Sequence, residues 1–376
     1  ILAGKYAIIN GSNAYIINTT SESASMILYI TGSVKVTTET EAILALTEDD
    51  YGTSYYYRGA VENNYVAFAG MCWRIVRVDG LGNTKLVLYN YNPNEVDNPC
   101  ATSEDGTSNA FARYSESTYT SVFNSSRDKN AYVGFMYGTP GSSTYEAEHA
   151  NTNKSTILTN LETWYDDYLG EDAETDYTDL LADVIWCNDK SLNTDSDFNP
   201  LGSSYTPTNL GYNTEVTYYG ATTRLLDDKA TSWTKATTSK VTLVCPEAGS
   251  DGKLSKFTVS DTTNGNGALD KKIGLLTADE IAFAGAAYGT SNTLYYLRKN
   301  ASGNYWWSLS PDVFFGAHAS GWSVYVNGYL SGSNYVNNAL GVRPSVSLVS
   351  TASVTTASET NPGTASNPYI IGVSSS

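Results

Sequence analysis

The chain has 376 residues, with 22 Lys and Arg against 39 Asp and Glu and a formal net charge of -17. That excess of acid repels phosphate backbones and anionic lipid surfaces, which argues against nucleic-acid binding and adsorption to a membrane. Only 16% of residues are charged, while Tyr alone contributes 30 beside much Ser, Thr, Asn and Gly; this balance suits an extracellular β-protein solvated by neutral polar groups.

Four short β-prone runs open the chain: Tyr6 to Asn10, Ala14 to Asn18, Met26 to Thr31 and Val34 to Thr38, punctuated by Gly11-Ser12 and Gly32-Ser33. They read as strands, too short to close a core alone, that must pair with the body of the chain or with a neighbouring subunit. The first run, ILAGKYAIIN, is apolar and would be an aggregation hazard if left unpaired. Donation of this strand to the sheet of the next subunit would satisfy it. Ile1, Leu2, Tyr6, Ile8 and Ile9 are the candidate assembly residues, with pairing inside the same subunit as the competing reading. Ile1 reads as a processed end. Lys5, Asn10, Gly11 and Asn13 interrupt the long apolar helix that opens a type IV pilin, and no run of about 20 apolar residues occurs in the chain.

Residues 51–90 read as a compact β-unit, with one long strand from Tyr65 to Val78, a Gly-Leu-Gly-Asn turn and a return from Lys85 to Tyr89. Arg74 and Arg77 lie on that strand, and at least one is expected in water. Residues 91–150 lack periodicity and read as long ordered loops. Helical spacing follows at 155–169: Ser155 is placed to cap, and Ile157, Leu158, Leu161, Trp164, Tyr165 and Tyr168 share a face. The acidic run Asp166, Asp167, Glu171, Asp172, Glu174, Asp176 and Asp179 has carboxylates enough for calcium, but lacks the EF-hand order and its central Gly, so a solvated loop is the better reading. Asp195, Asp197 and Asn199 offer a weaker metal possibility. Tyr177 to Trp186 reads as a short helix or strand. Val241 to Val244 and Phe257 to Val259 read as strands, and Thr277 with Glu280 forms a capping box for a short helix.

Cys72, Cys100, Cys187 and Cys245 form no C-x-x-C pair, and with only two histidines a zinc site is not indicated. Four cysteines allow three pairings. Cys72–Cys100 and Cys187–Cys245 are favoured because each joins neighbouring segments; four buried thiols are the alternative.

The stretch from Tyr305 to Leu348 organises the rest. Val324 and Val326 alternate with Ser323 and Tyr325, and Asn327-Gly328 supplies a positive-φ pair for a tight hairpin. Val342 to Leu348 reads as a final strand with Pro344 at its start or edge. Rigid aromatic rings among Ser, Asn and Gly are the composition of a recognition surface. Its candidate residues are Trp307, Phe314, Phe315, Trp322, Tyr325, Tyr329 and Tyr335. A Tyr-rich sheet packed against its own protein is the alternative. Beyond Ser350 a Thr/Ser/Ala run reads as a linker, and Tyr369 to Val373 as a last strand able to serve as a second interface.

This stretch also resembles a known group. The W-x-L-S-P of Trp307, Leu309, Ser310 and Pro311, a Ser/Asn/Gly-rich display segment, and the closing Gly341-Val342-Arg343-Pro344 are similar to bacterial surface proteins with a C-type-lectin-like module. These are related in fold to formylglycine-generating enzymes and retroelement-diversified receptors. YYYRGAVENNYVAFAGMCWRIVRVDG (55–80), VIWCND (184–189), GLLTADEIAFAG (274–285) and GTASNPYII (363–371) extend the resemblance over roughly 51–371. It implies an exported binding or adhesive module with no catalytic residue to carry over.

No G-x-S-x-G elbow, H-E-x-x-H or phosphate-cradling loop occurs. His318 lacks an evident nucleophile and reads as a surface-loop residue. Lectin-type EPN and QPD calcium motifs are absent from the display stretch. Lys and Asn abound enough for Lys–Asn crosslinks between strands, activated by a buried carboxylate, but the sequence singles out no pair. The expectation is a mostly β fold with a few short helices (α+β): an N-terminal β-strand region over 1–50, a C-type-lectin-like module over 51–350, and an extended tail over 351–376. The leading functional reading is a non-enzymatic, secreted subunit of an extracellular filament that pairs with copies of itself. The alternative is a monomeric adhesin or lectin that binds a glycan or surface protein. No cofactor is called for, calcium being the one possibility.

Overall fold

Ala69 and Gly70 both adopt positive φ, 51° and 69°. That pair folds the expected long strand into a hairpin, Tyr65–Phe68 returning as Met71–Val78 with Phe68 opposite Met71. A two-residue hairpin turn of this kind (type I′) needs positive φ at both central positions, which Gly adopts freely and Ala does not. Ala-Gly therefore carries no turn signal in the sequence. The structure is a computed structural model that describes residues 5–9, 13–17, 34–35, 43–101, 108–114, 118–226, 238–298, 301 and 304–372.

Met71–Val78 is the axis of an eight-stranded sheet. Thr84–Asn90 pairs along one side, with Ser345–Leu348 beyond it, and Tyr65–Phe68 and Gly52–Arg58 share the other side. Ile43–Asp49 pairs residue for residue with Gly52–Arg58. Tyr369–Ile371 joins Tyr65–Phe68 in parallel, followed by Val354–Thr356. A boundary at residue 50 would therefore cut a hairpin at its turn, and one at 350 would detach two strands of this sheet. Tyr369–Ile371, expected as a possible interface, instead satisfies its backbone groups inside the fold.

The second sheet has six strands. Trp306–Phe315, His318–Val324 and Leu330–Tyr335 run antiparallel in succession, and Leu340–Gly341 pairs in parallel with Trp306. Thr120–Ser121 and Thr217–Tyr218 complete it. The strand expected from Val342 begins only at Ser345, after Pro344, whose missing N–H cannot enter a ladder. Val342-Arg343-Pro344 thus carries the chain from the second sheet to the first. Arg343 is buried at that crossing; its Nε donates to Leu88 O at 3.0 Å, its other nitrogen to Leu297 O, and its guanidinium lies over the Trp306 ring.

The Ser155 hydroxyl accepts from Leu158 N and starts helix Thr156–Tyr168, whose Ile157, Leu158, Leu161, Trp164 and Tyr165 are buried. Thr277 and Glu280 form the expected capping box ahead of helix Ala278–Phe283. Tyr177 to Trp186 resolves into a short 3₁₀ turn, Thr178–Leu180, and a strand, Trp186–Cys187. Val241 to Val244 is not a strand; Leu243 makes only an isolated bridge to Asp49. The strand expected from Phe257 spans Lys256–Phe257.

Both disulfides are present, Cys72–Cys100 and Cys187–Cys245. Arg74 and Arg77 are both buried, contrary to the expectation that one faces water, because layers cover both sides of their strand. Arg74 donates to Asn64 Oδ1 at 2.6 Å and lies 3.7 Å over the Tyr65 ring. Arg77 bridges Asp49 at 2.6 Å and Glu280 at 3.0 Å.

Near the N-terminus, Lys5–Ile9 pairs antiparallel with Asn13–Ile17, so the first strand has a partner in its own chain. Val34–Lys35 pairs with Thr238–Ser239. Of Tyr6, Ile8 and Ile9 the backbone alone is described; Ile1, Leu2 and the run from Met26 to Thr31 lie outside the described residues.

Candidate binding surface

Trp306–Phe315 is buried at every position but its last. Helices Gly220–Leu225 and Ala278–Phe283 pack against it, and its neighbours in the sheet are covered as well. Three of the seven expected surface residues consequently belong to the core. Trp307 is fully buried and its Nε1 donates to Ser121 O at 2.9 Å. Phe314 is fully buried beside Thr217 and Ala319. Trp322 is fully buried and its Nε1 donates to Thr222 Oγ1 at 3.0 Å. Large rings that can satisfy their single N–H inside a fold contribute most when removed from water, and the sequence alone could not distinguish that use from display.

Phe315, Tyr325, Tyr329 and Tyr335 remain partly exposed. They fall into two clusters at opposite ends of the hairpin made by His318–Val324 and Leu330–Tyr335. At the tip, Tyr325 and Tyr329 stack with ring centroids 4.5 Å apart, and Tyr305 meets Tyr325 edge-on at 4.3 Å. The turn between them differs from the expected one. Gly328 alone has positive φ (87°), Gly328 N donates to Tyr325 O, and Tyr325 N donates to Tyr329 O. This is a three-residue loop closed by a left-handed glycine, which brings the two flanking tyrosines side by side.

At the open end, His318 stacks on Tyr335 at 4.4 Å, Arg127 lies 4.5 Å over the Tyr335 ring, and Phe315 sits between His318 and Tyr205. His318 is thus the first residue of a strand and part of an aromatic row, not an isolated loop imidazole. Tyr205 and Arg127 come from distant loops that no local pattern connects to this hairpin. Six residues of strand separate the clusters, about 20 Å.

Between them runs the edge strand Leu330–Tyr335, whose Ser331, Gly332, Ser333 and Asn334 are at least partly exposed. A bulge shapes it: Gly321 pairs with Asn334 and Ser323 with Ser331, leaving Gly332 and Ser333 opposite Trp322. Ser333 takes positive φ (62°) and turns its N–H onto Asp312 Oδ2, while Thr222 Oγ1 donates to Asp312 Oδ1 at 2.7 Å. Asp312 is fully buried, and burial pushes its carboxyl up to about 6 despite these two hydrogen bonds. Such a bulge re-aims an edge strand and blunts its capacity to pair.

The densest charge cluster lies elsewhere. Glu280 Oε1 accepts from Arg77 at 3.0 Å and from Lys85 at 2.6 Å, and Oε2 accepts from Thr277 N. Burial alone would raise the Glu280 carboxyl; Lys85 and Arg77 outweigh it and hold the group at about 2. Arg224 grips Asp279 through two nitrogens and Asp189 through a third. The space enclosed by this network is about 20 Å³, enough for about one water. It holds helix Ala278–Phe283 against the first sheet. In the acidic run, Asp167, Glu171, Asp172, Glu174, Asp176 and Asp179 are exposed, as are Asp195 and Asp197. No cluster of three metal-ligating side chains occurs among the described residues.

A domain family of unknown function (DUF6273) matches residues 232–350, under a third of the chain. The matched part contains the three long strands of the second sheet and Ser345–Leu348 of the first, so the match covers the hairpin of the candidate surface, without Arg127 and Tyr205, and only one strand of the first sheet. Comparison with curated proteins and with solved structures gave no match.

Proposed function

We propose that the protein is an exported binding module of the C-type-lectin-like kind, which holds a glycan or a surface protein across the hairpin His318–Tyr335. The observation that carries this reading is the pair of partly exposed aromatic clusters, Tyr305-Tyr325-Tyr329 and Phe315-His318-Tyr335, at the two ends of a Ser/Gly/Asn edge strand. Stacked rings give a ligand apolar faces at little entropic cost, and the intervening hydroxyls and amides fix its orientation. A span of about 20 Å suits an oligomer or an extended segment rather than a single sugar. Two disulfides, and no helix among the described residues long and apolar enough to cross a membrane, fit a secreted protein.

Binding of the intact chain to a glycan array and to a panel of cell-surface proteins tests the reading, with Tyr329→Ala and Tyr335→Ala as probes at either end. Each should weaken the selected ligand about 30-fold, as loss of a central aromatic anchor does. Unchanged affinity in both variants would remove this surface from consideration.

A second reading rests on a different observation. The hairpin Lys5–Ile9/Asn13–Ile17 joins no larger sheet among the described residues, and an isolated two-stranded hairpin is marginally stable in water. Its open edges suit it to complete a sheet in another copy of the chain, the arrangement of a filament subunit. Electron microscopy of the intact chain beside one beginning at Gly32 decides this. Filaments from the intact chain alone support assembly through the hairpin, and dispersed particles from both end the idea.

A further inference from the structure

Lys190 is fully buried, and its Nζ reaches two neutral oxygens, Met136 O at 2.9 Å and the side-chain carbonyl of Asn151. No carboxylate among the described residues lies within ion-pair distance of it. The Phe257 ring closes another side, 5.0 Å from Nζ. An ammonium with only two neutral acceptors is poorly compensated in such a place, and burial holds the amine well below its ordinary range. His149 is likewise buried, and burial is the main cause that pushes its imidazole down to about 3. Its Nε2 contacts Gly211 O at 2.8 Å, while its Nδ1 has no hydrogen-bond partner.

Both reacting groups are held. Lys190 N donates to Ser255 Oγ at 2.7 Å, and Lys190 O accepts from the Tyr145 hydroxyl at 2.7 Å. The Asn151 side-chain nitrogen donates to Leu254 O at 3.0 Å, which directs the carbonyl oxygen the other way, toward the amine. Asn151 itself takes positive φ (55°), just ahead of Asn153–Lys154, which pairs with Met136–Tyr137. An amine that burial biases toward its uncharged form and a carboxamide, fixed in contact at a buried site, satisfy the proximity requirement for nucleophilic acyl transfer.

We propose that Lys190 and Asn151 join in an intramolecular isopeptide bond. Lys190 Nζ attacks Asn151 Cγ, a Cγ–Nζ bond forms and the Cγ–Nδ2 bond breaks. One proton passes from the attacking nitrogen to the departing one, which leaves as ammonia. No oxidant, metal or co-reactant enters the balance. The bond closes a loop between residues 39 apart in sequence and, with Cys187–Cys245 nearby in the chain, ties the same region by a link that reduction does not open.

Intact mass spectrometry of the full chain, reduced and denatured, decides the matter. The expected mass is that of the sequence less one ammonia, and digestion should yield one branched peptide joining residues 151 and 190. In Lys190→Met the missing ammonia should return and the branched peptide vanish. A wild-type chain at the full sequence mass overturns the proposal, whatever the variants do. So does a deficit that persists in Lys190→Met, which would come from asparagine cyclisation elsewhere.

Discussion

Asp312→Asn isolates one charge beneath the candidate surface. Asp312 is fully buried with hydrogen bonds from Thr222 and Ser333, and its folded carboxyl sits at about 6 against an ordinary 3.8. Because the folded pKa is the higher one, the folded state binds the proton more tightly. No penalty exists below the unfolded value; it grows as pH rises between the two values and is complete above the folded one. Two units at 1.36 kcal/mol each place the penalty near 3 kcal/mol at neutral pH. An asparagine can accept from Ser333 N and donate to Thr222 Oγ1, so the shape is kept at a loss of about 1 kcal/mol for the weaker hydrogen bonds. The variant should therefore exceed the wild type by about 2 kcal/mol near pH 7 and lose that advantage near pH 4. Urea unfolding of both chains across this range, with disulfides intact, measures the difference, from which every other titrating group cancels. A difference that does not change with pH would refute the assignment of a raised pKa to this carboxyl.

Glu280→Gln should destabilise by about 3–5 kcal/mol, since it leaves the buried Lys85 without its carboxylate and Arg77 with Asp49 alone; thermal unfolding at neutral pH reads it. Glu280 has the opposite sign to Asp312: its folded pKa lies below the ordinary 4.5, so its contribution is present above that value and is lost as pH falls through about 2. Trp307→Ala should cost about 3–5 kcal/mol, whereas Tyr329→Ala, on the partly exposed tip, should cost stability under about 1 kcal/mol and act on binding; the contrast separates core from surface in one unfolding series. Replacing Cys72 and Cys100 together by Ala should lower stability by about 3.5 kcal/mol in the chain-entropy account of a loop of this size, measured against the intact chain without reductant.

Local chemistry wrote several parts of this protein into the sequence. Ser155 and the Thr277/Glu280 box start helices because an oxygen one turn ahead of an apolar face satisfies orphan N–H groups whatever surrounds it. The disulfide partners follow from nearness along the chain, and the mostly β character from short β-branched and aromatic runs between turns. Where a signal was weak in the residue itself, the sequence was silent: Ala69 takes a left-handed turn only because its flanking strands pair. Burial was the part no local pattern contained. Trp307, Phe314 and Trp322 share a composition with Tyr325 and Tyr329, but the fold buries the first three completely and leaves the other two partly exposed. Arg74 and Arg77 follow the same rule, since the partners that make their burial tolerable, Asn64, Asp49 and Glu280, come from three other segments. Lys190 against Asn151, and Tyr205 and Arg127 against the hairpin, are likewise contacts between residues far apart in the chain. Sequence fixes what a residue can do within a turn or two of itself; which residues meet, and which lose their water, is decided by the packing of the whole chain.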